Sequence, residues 1–90
     1  MKTQLTNTLY VFALKSGSIY EGGGLNGLYI TELLARSEAV KLVDKYNKWA
    51  EEINAGEGDY DFKPYTEKEN NNWDNGIDYI RVDKINVQSS

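Results

Sequence analysis

Two rhythms of apolar and polar residues run along the chain. Over residues 8–15, Leu9, Val11 and Ala13 fall on one parity and Tyr10, Phe12 and Leu14 on the other, which is the two-residue period of a strand. Apolar side chains on both parities predict a central strand covered, at least in part, on both faces. Lys15-Ser16-Gly17-Ser18 has turn chemistry, so Ser18-Ile19-Tyr20-Glu21 is expected to return as the hairpin partner. Gly22-Gly23-Gly24-Leu25-Asn26-Gly27 then reads as a flexible connection, and residues 28–31 as a short third strand.

The rhythm changes at Ser37. Ala39, Leu42, Val43, Tyr46, Trp49, Ala50 and Ile53 recur at helical spacing, a continuous apolar stripe that predicts an amphipathic helix over 38–54. Ser37 is suited to the N-cap, Glu38 places negative charge in the first turn, and Gly56 suits the C′ position. Lys41, Asp44, Lys45, Lys48, Glu51 and Glu52 fill the opposite face, with Asp44–Lys48 and Lys48–Glu52 spaced i,i+4.

Residues 57–76 have no sustained period. Tyr60-Asp61-Phe62 reads as a brief strand, and Asp74-Asn75-Gly76 is a turn signal. The last element, over 77–87, is a long strand in which Ile80 and Val82 share one parity and Ile85 and Val87 the other. That switch predicts a bulge near Asp83-Lys84. A chain this short encloses one hydrophobic core, so residues 1–90 are read as a single α+β domain. Burying both stripes calls for an antiparallel sheet of about three or four strands with one helix packed across one face, in two layers.

Composition removes several chemistries. The 90 residues contain no cysteine and no histidine, hence no disulfide framework, no thiolate metal site and none of the commonest general base. No run approaches the length of a membrane span, and Met1-Lys2-Thr3-Gln4-Leu5 lacks a signal-peptide core, which leads to a cytoplasmic expectation with no membrane partner. A net charge of −4 opposes direct nucleic-acid binding, since phosphate contacts need a basic face. The charge is also uneven: residues 1–50 hold six bases and four acids, whereas residues 51–78 hold nine acids and two bases.

The individual motifs are weak. Gly22-x-Gly24-x-x-Gly27 matches the dinucleotide fingerprint in letters, but Leu28-Tyr29-Ile30-Thr31 intervenes where a helix N-terminus must meet the pyrophosphate. No cofactor is therefore expected. The acids around Asp59 and Asp61 fail the twelve-residue calcium loop, because Lys63 and Pro64 stand where a ligand and the turn glycine belong, so no metal is expected. Paired carboxylates alone could serve glycoside hydrolysis, but they cluster in one polar loop and 90 residues leave little room for a substrate cleft, so no catalytic residues are assigned. Tyr60, Tyr65 and Trp73, set among acids, have the anchor-and-rim composition of a protein interface; equally, they would clasp the loop to the sheet.

The stretch Leu9-Tyr10-Val11-Phe12-Ala13-Leu14-Lys15-Ser16-Gly17-Ser18-Ile19-Tyr20, followed by Ala35-Arg36-Ser37-Glu38-Ala39-Val40-Lys41-Leu42-Val43, resembles many small phage-encoded proteins in which a hairpin precedes such a helix and a final strand closes the sheet. Small acidic phage proteins of this size include anti-CRISPR and anti-restriction inhibitors, several of which block the basic nucleic-acid groove of a nuclease. The resemblance implies that class and transfers no site residues. The expected function is thus a non-enzymatic inhibitor acting in the bacterial host cell, whose acidic loop replaces phosphates on a basic protein surface. The residues expected to face that partner are Glu57, Asp59, Tyr60, Asp61, Tyr65, Glu67, Glu69 and Trp73, with Asp59 and Asp61 about 7 Å apart on one face if they lie in a strand. A structural phage protein and an immunity protein for a cationic toxin are the alternatives.

Overall fold

The computed structural model describes residues 9–87; Thr8, expected to open the first strand, lies outside them. The elements are β1 (Leu9–Ser18), β2 (Gly22–Tyr29), α1 (Glu32–Asn54), β3 (Thr66–Glu69), β4 (Asn72–Asp74) and β5 (Asp78–Val87). The five strands form one antiparallel sheet in the order β2-β1-β5-β4-β3, with α1 against β1, β5 and β2. The class is α+β, as expected. The sheet has five strands rather than three or four because part of the segment 57–76 folds into the β3–β4 hairpin.

The first hairpin differs from expectation. β1 continues through Ser18, and Ile19, Tyr20 and Glu21 make the turn. The Ser18 Oγ accepts hydrogen bonds from the Tyr20 and Glu21 amides at 3.2 and 3.3 Å, and Gly22 takes a φ of +83° that side-chain-bearing residues rarely adopt. The glycine run is therefore strand β2, not a flexible connection. Gly17 and Gly23 face each other so closely that a Cβ on either would run into the other's backbone. The glycines permit the strands to meet there.

β1 and β5 pair without a register shift from Leu9↔Val87 to Ser18↔Asp78, so the bulge expected near Asp83-Lys84 is absent. Ile80 and Val82 pair with Ser16 and Leu14 on the side that α1 covers. Beyond Val82 that side carries exposed Lys84 and Asn86, with the Lys84 ammonium 3.9 Å from the centre of the Tyr10 ring. The parity switch marks the end of helix cover. The sheet's one register shift in the long strands lies instead between Leu14 and Lys15, where Asn26 is the extra residue of β2.

The helix starts six residues before the predicted 38. Thr31, extended at φ −130° and ψ 150°, is the N-cap, and its Oγ1 accepts from the Leu34 amide at 3.1 Å. The sequence signal was Ala35, four residues before Ala39 on the same stripe. Ala35, Ala39, Val43 and Ala50 are buried. Trp49, expected in the core, is 45% exposed: it stands on the flank of the helix rather than beneath it. Small residues on the buried stripe bring the helix near the sheet, and large ones from elsewhere complete the core. Leu14, Ile80 and Val82 come from the long strands, while Tyr65 and Trp73 come from the segment that had no readable period.

A polar network ties the β3–β4 hairpin to the first turns of α1. The Arg36 guanidinium donates to both Glu67 carboxylate oxygens, at 2.7 and 2.9 Å, and to the Asn71 Oδ1 at 2.9 Å. Asn71, buried at the hairpin turn with φ +63°, donates its backbone amide to Glu67 and its side-chain amide to Glu32. The hydrogen bonds from Arg36 and from the Asn71 amide hold the Glu67 carboxyl down to about 2. A lowered carboxyl stabilises the folded state fully above its ordinary value near 4.5, and that contribution disappears as the pH falls toward about 2. Urea midpoints of the wild type and Glu67→Gln should accordingly differ most at neutral pH and converge between pH 4.5 and 2. A gap that persists at pH 2 would contradict this assignment.

Candidate functional site: an acidic, aromatic helix end

The residues singled out in the sequence separate into three groups. Tyr65 and Trp73 are core, 9% and 4% exposed, so they clasp the segment to the sheet and leave no ring at the surface. Glu67 is engaged by Arg36, and Glu69 is exposed on the short edge strand β3. Glu57, Asp59, Tyr60 and Asp61 are exposed beyond the C-terminus of α1. Arg36 and Asn54 are about 27 Å apart along the helix at 1.5 Å per residue, so the acids do not form one array. The Tyr60-Asp61-Phe62 stretch is not a strand, and the regular spacing expected of Asp59 and Asp61 is not imposed by a pleat.

The returning loop is positioned by two asparagines two helical turns apart. Asn54 Nδ2 donates to the Phe62 carbonyl while the Phe62 amide donates to Asn54 Oδ1, both at 2.8 Å. Asn47 repeats the arrangement on Tyr65, at 3.2 and 2.8 Å. Each amide side chain thereby satisfies one donor and one acceptor of a backbone that has no strand partner. Neither asparagine belongs to the apolar stripe, and their seven-residue spacing on the polar margin of the helix was the available signal for this clamp.

The clamps bring five rings into a continuous ladder. Tyr65 meets Tyr46 edge-on at 4.7 Å, Tyr46 meets Trp49 at 5.6 Å, Trp49 meets Phe62 at 5.0 Å, and Phe62 stacks on Tyr60 at 5.7 Å. The ladder begins in the core and ends in solvent, where Tyr60 is 57% exposed. Burial and then the charge of Asp78 push the Tyr65 phenol up to about 12, so it is neutral throughout the physiological range.

A cavity of about 390 Å³ lies beside the ladder, walled by Tyr46, Trp49, Phe62 and Ile77 with Asp61 and Asp78. Its far wall is the turn into β5. There the Asn75 Oδ1 accepts from the Ile77 and Asp78 amides at 3.0 and 2.7 Å, and the Asn75 side-chain amide donates to the Tyr46 hydroxyl at 3.2 Å. The turn projects Ile77 outward, 60% exposed. Asp61 is paired with Lys63 at 3.0 Å. Asp78 is half-buried, and its carboxylate has no cation or hydrogen-bond donor among the described residues.

The electrostatics of this end are predominantly negative, with Lys63 paired to Asp61. The last turn of α1 contains no basic residue but does contain Glu51 and Glu52, so two carboxylates sit at the negative end of the helix dipole, where they are disfavoured. Glu57, Asp59 and Asp61 follow. Among the described residues no group of histidine, cysteine and carboxylate side chains is arranged to hold a metal ion, and no helix is long and apolar enough to cross a membrane. No family model, curated protein or solved structure matches the chain.

Proposed function

We propose that this protein is a binding protein without catalytic activity, which docks the acidic, aromatic end of α1 on a basic surface of a nucleic-acid-processing protein and so inhibits it in the manner of anti-CRISPR and anti-restriction inhibitors. The observation that carries this reading is the placement of Glu51, Glu52, Glu57 and Asp59 at the negative end of the helix dipole beside exposed rings. Such an arrangement costs the free protein stability, and a cationic partner converts that cost into attraction. Exposed aromatic side chains supply contact area that carboxylates alone lack. Glu67, Tyr65 and Trp73 play no part in this surface.

The test is capture from a host lysate by the tagged protein at low and at high salt, followed by kinetics on the purified partner. The expected partner binds nucleic acid and loses that binding when the inhibitor is added. Replacing Glu51, Glu52, Glu57 and Asp59 by Gln or Asn should leave the fold intact, or slightly more stable. Association should slow by about tenfold or more at low ionic strength, with a flatter salt dependence. An unchanged on-rate and salt slope would show that these acids do no more than keep the surface hydrated.

A further inference from the structure

We propose that the cavity between Trp49, Phe62 and Ile77 is a receptor for one basic side chain, an arginine or lysine of the partner, with Asp78 as its counter-ion. The inference rests on the docking surface proposed above and names the point on it where an anchor enters. Two independent features support it. The first is shape and composition: the cavity has aromatic and aliphatic walls, and its two carboxylates are the only full negative charges among the residues that line it. Such walls take the methylene stem of a long cationic side chain, and Trp49, which lines the cavity and is 45% exposed, is the ring type that best attracts a cation.

The second is the state of the two carboxylates. Asp61 already has a cation, Lys63. Asp78 has none among the described residues, although it is half-buried at the start of β5. A partly desolvated carboxylate without a partner is costly, and an incoming ammonium or guanidinium removes that cost. Lys63 also lines the cavity, with its ammonium 3.0 Å from Asp61, which leaves Asp78 to the ligand. An anionic ligand is disfavoured by the same two charges, and a neutral aliphatic one would leave Asp78 unpaired.

The experiment uses small probes and does not require the partner to be known. Nα-acetyl-arginine amide and Nα-acetyl-lysine amide are titrated into the isotopically labelled protein, with neutral Nα-acetyl-norleucine amide as the control. The cationic probes should give saturable shifts of the Trp49 indole and of the Phe62, Ile77 and Asp78 amides, with a Kd on the order of millimolar, the affinity range for a single isolated contact. Norleucine amide should give none. Asp78→Asn should weaken binding at least tenfold while the rest of the spectrum stays in place. Trp49→Ala should do the same without altering the Leu14 and Val82 core resonances. Equal shifts with the neutral probe, no saturation with the cationic ones, or unchanged affinity in Asp78→Asn would each overturn the inference. If the probes fail while the Glu51/Glu52/Glu57/Asp59 variant still slows partner association, the groove is refuted and the docking surface stands. If the probes bind while that variant associates normally, the groove stands and the docking surface falls.

Discussion

Replacing Trp73 with alanine is expected to destabilise the fold by about 3–5 kcal/mol, the range for removing a buried large aromatic side chain. Trp73 is 4% exposed and sits in the core cluster with Leu14, Val43, Ile80 and Val82. It pairs with Ile80 on one side and Glu67 on the other, and the Arg36 guanidinium lies 5.0 Å from its ring. Its strand, β4, has only three residues, too few to hold the hairpin by backbone pairing alone. Loss of the indole therefore removes core volume and also the platform on which the Arg36–Glu67–Asn71 network rests. A domain of this size has about 5–10 kcal/mol to lose, so the variant should be largely unfolded under mild denaturant. Equilibrium urea unfolding measures the change. Trp73→Phe should recover most of it. A loss below about 1 kcal/mol, together with a faster off-rate from a partner, would place the ring at an interface instead.

The second large effect is expected at Val43, on the buried stripe of α1. Val43→Asp places a carboxylate where only 7% of the residue is exposed, in a cluster whose other members include Leu14, Ala39, Tyr65 and Val82. None of these supplies a cation, and the cost of an unpaired buried charge is roughly 3–5 kcal/mol. The carboxyl should be driven upward, so the defect is predicted to lessen as the pH falls below its raised value. Circular dichroism at neutral pH should show a collapsed signal, and Val43→Asn should be less severe than Val43→Asp. Native far-UV and near-UV spectra for Val43→Asp would refute the placement of this stripe. Leu42, one residue earlier, is only partly buried and should tolerate the same change better.

These two positions differ in how far the sequence alone could place them. Val43 was readable because a helix repeats every 3.6 residues, and its neighbours at 39, 42, 46 and 50 confirm the period locally. The two long strands were readable by their alternation, and they do pair over their whole length. The Asp74-Asn75-Gly76 turn was readable by its chemistry, which the structure shows as Asx hydrogen bonds to Gly76, Ile77 and Asp78. The acidic bias of the second half was plain from counting.

Trp73 and Tyr65 were not placeable in this way. Each is an isolated ring in a polar segment, and nothing within a few residues distinguishes a core ring from an exposed one. Both are buried in one cluster with Ala35, Ala39 and Val43 of a distant helix. Trp49 shows the converse: it has the period of the stripe, but the clamp of Asn54 on Phe62 provides it with a flanking neighbour instead of a core site. Glu67 looked like one more surface acid until Arg36, 31 residues away, closed on it. The glycine run looked flexible because its partner, Gly17, is recognisable only once the strands are side by side. Sequence by itself determined the elements whose signal is periodic within one turn or one strand. Tertiary structure decided every position whose environment is built by residues far along the chain, and those include the walls of the cavity beside Trp49 and Phe62 and the place of Asp78 in it.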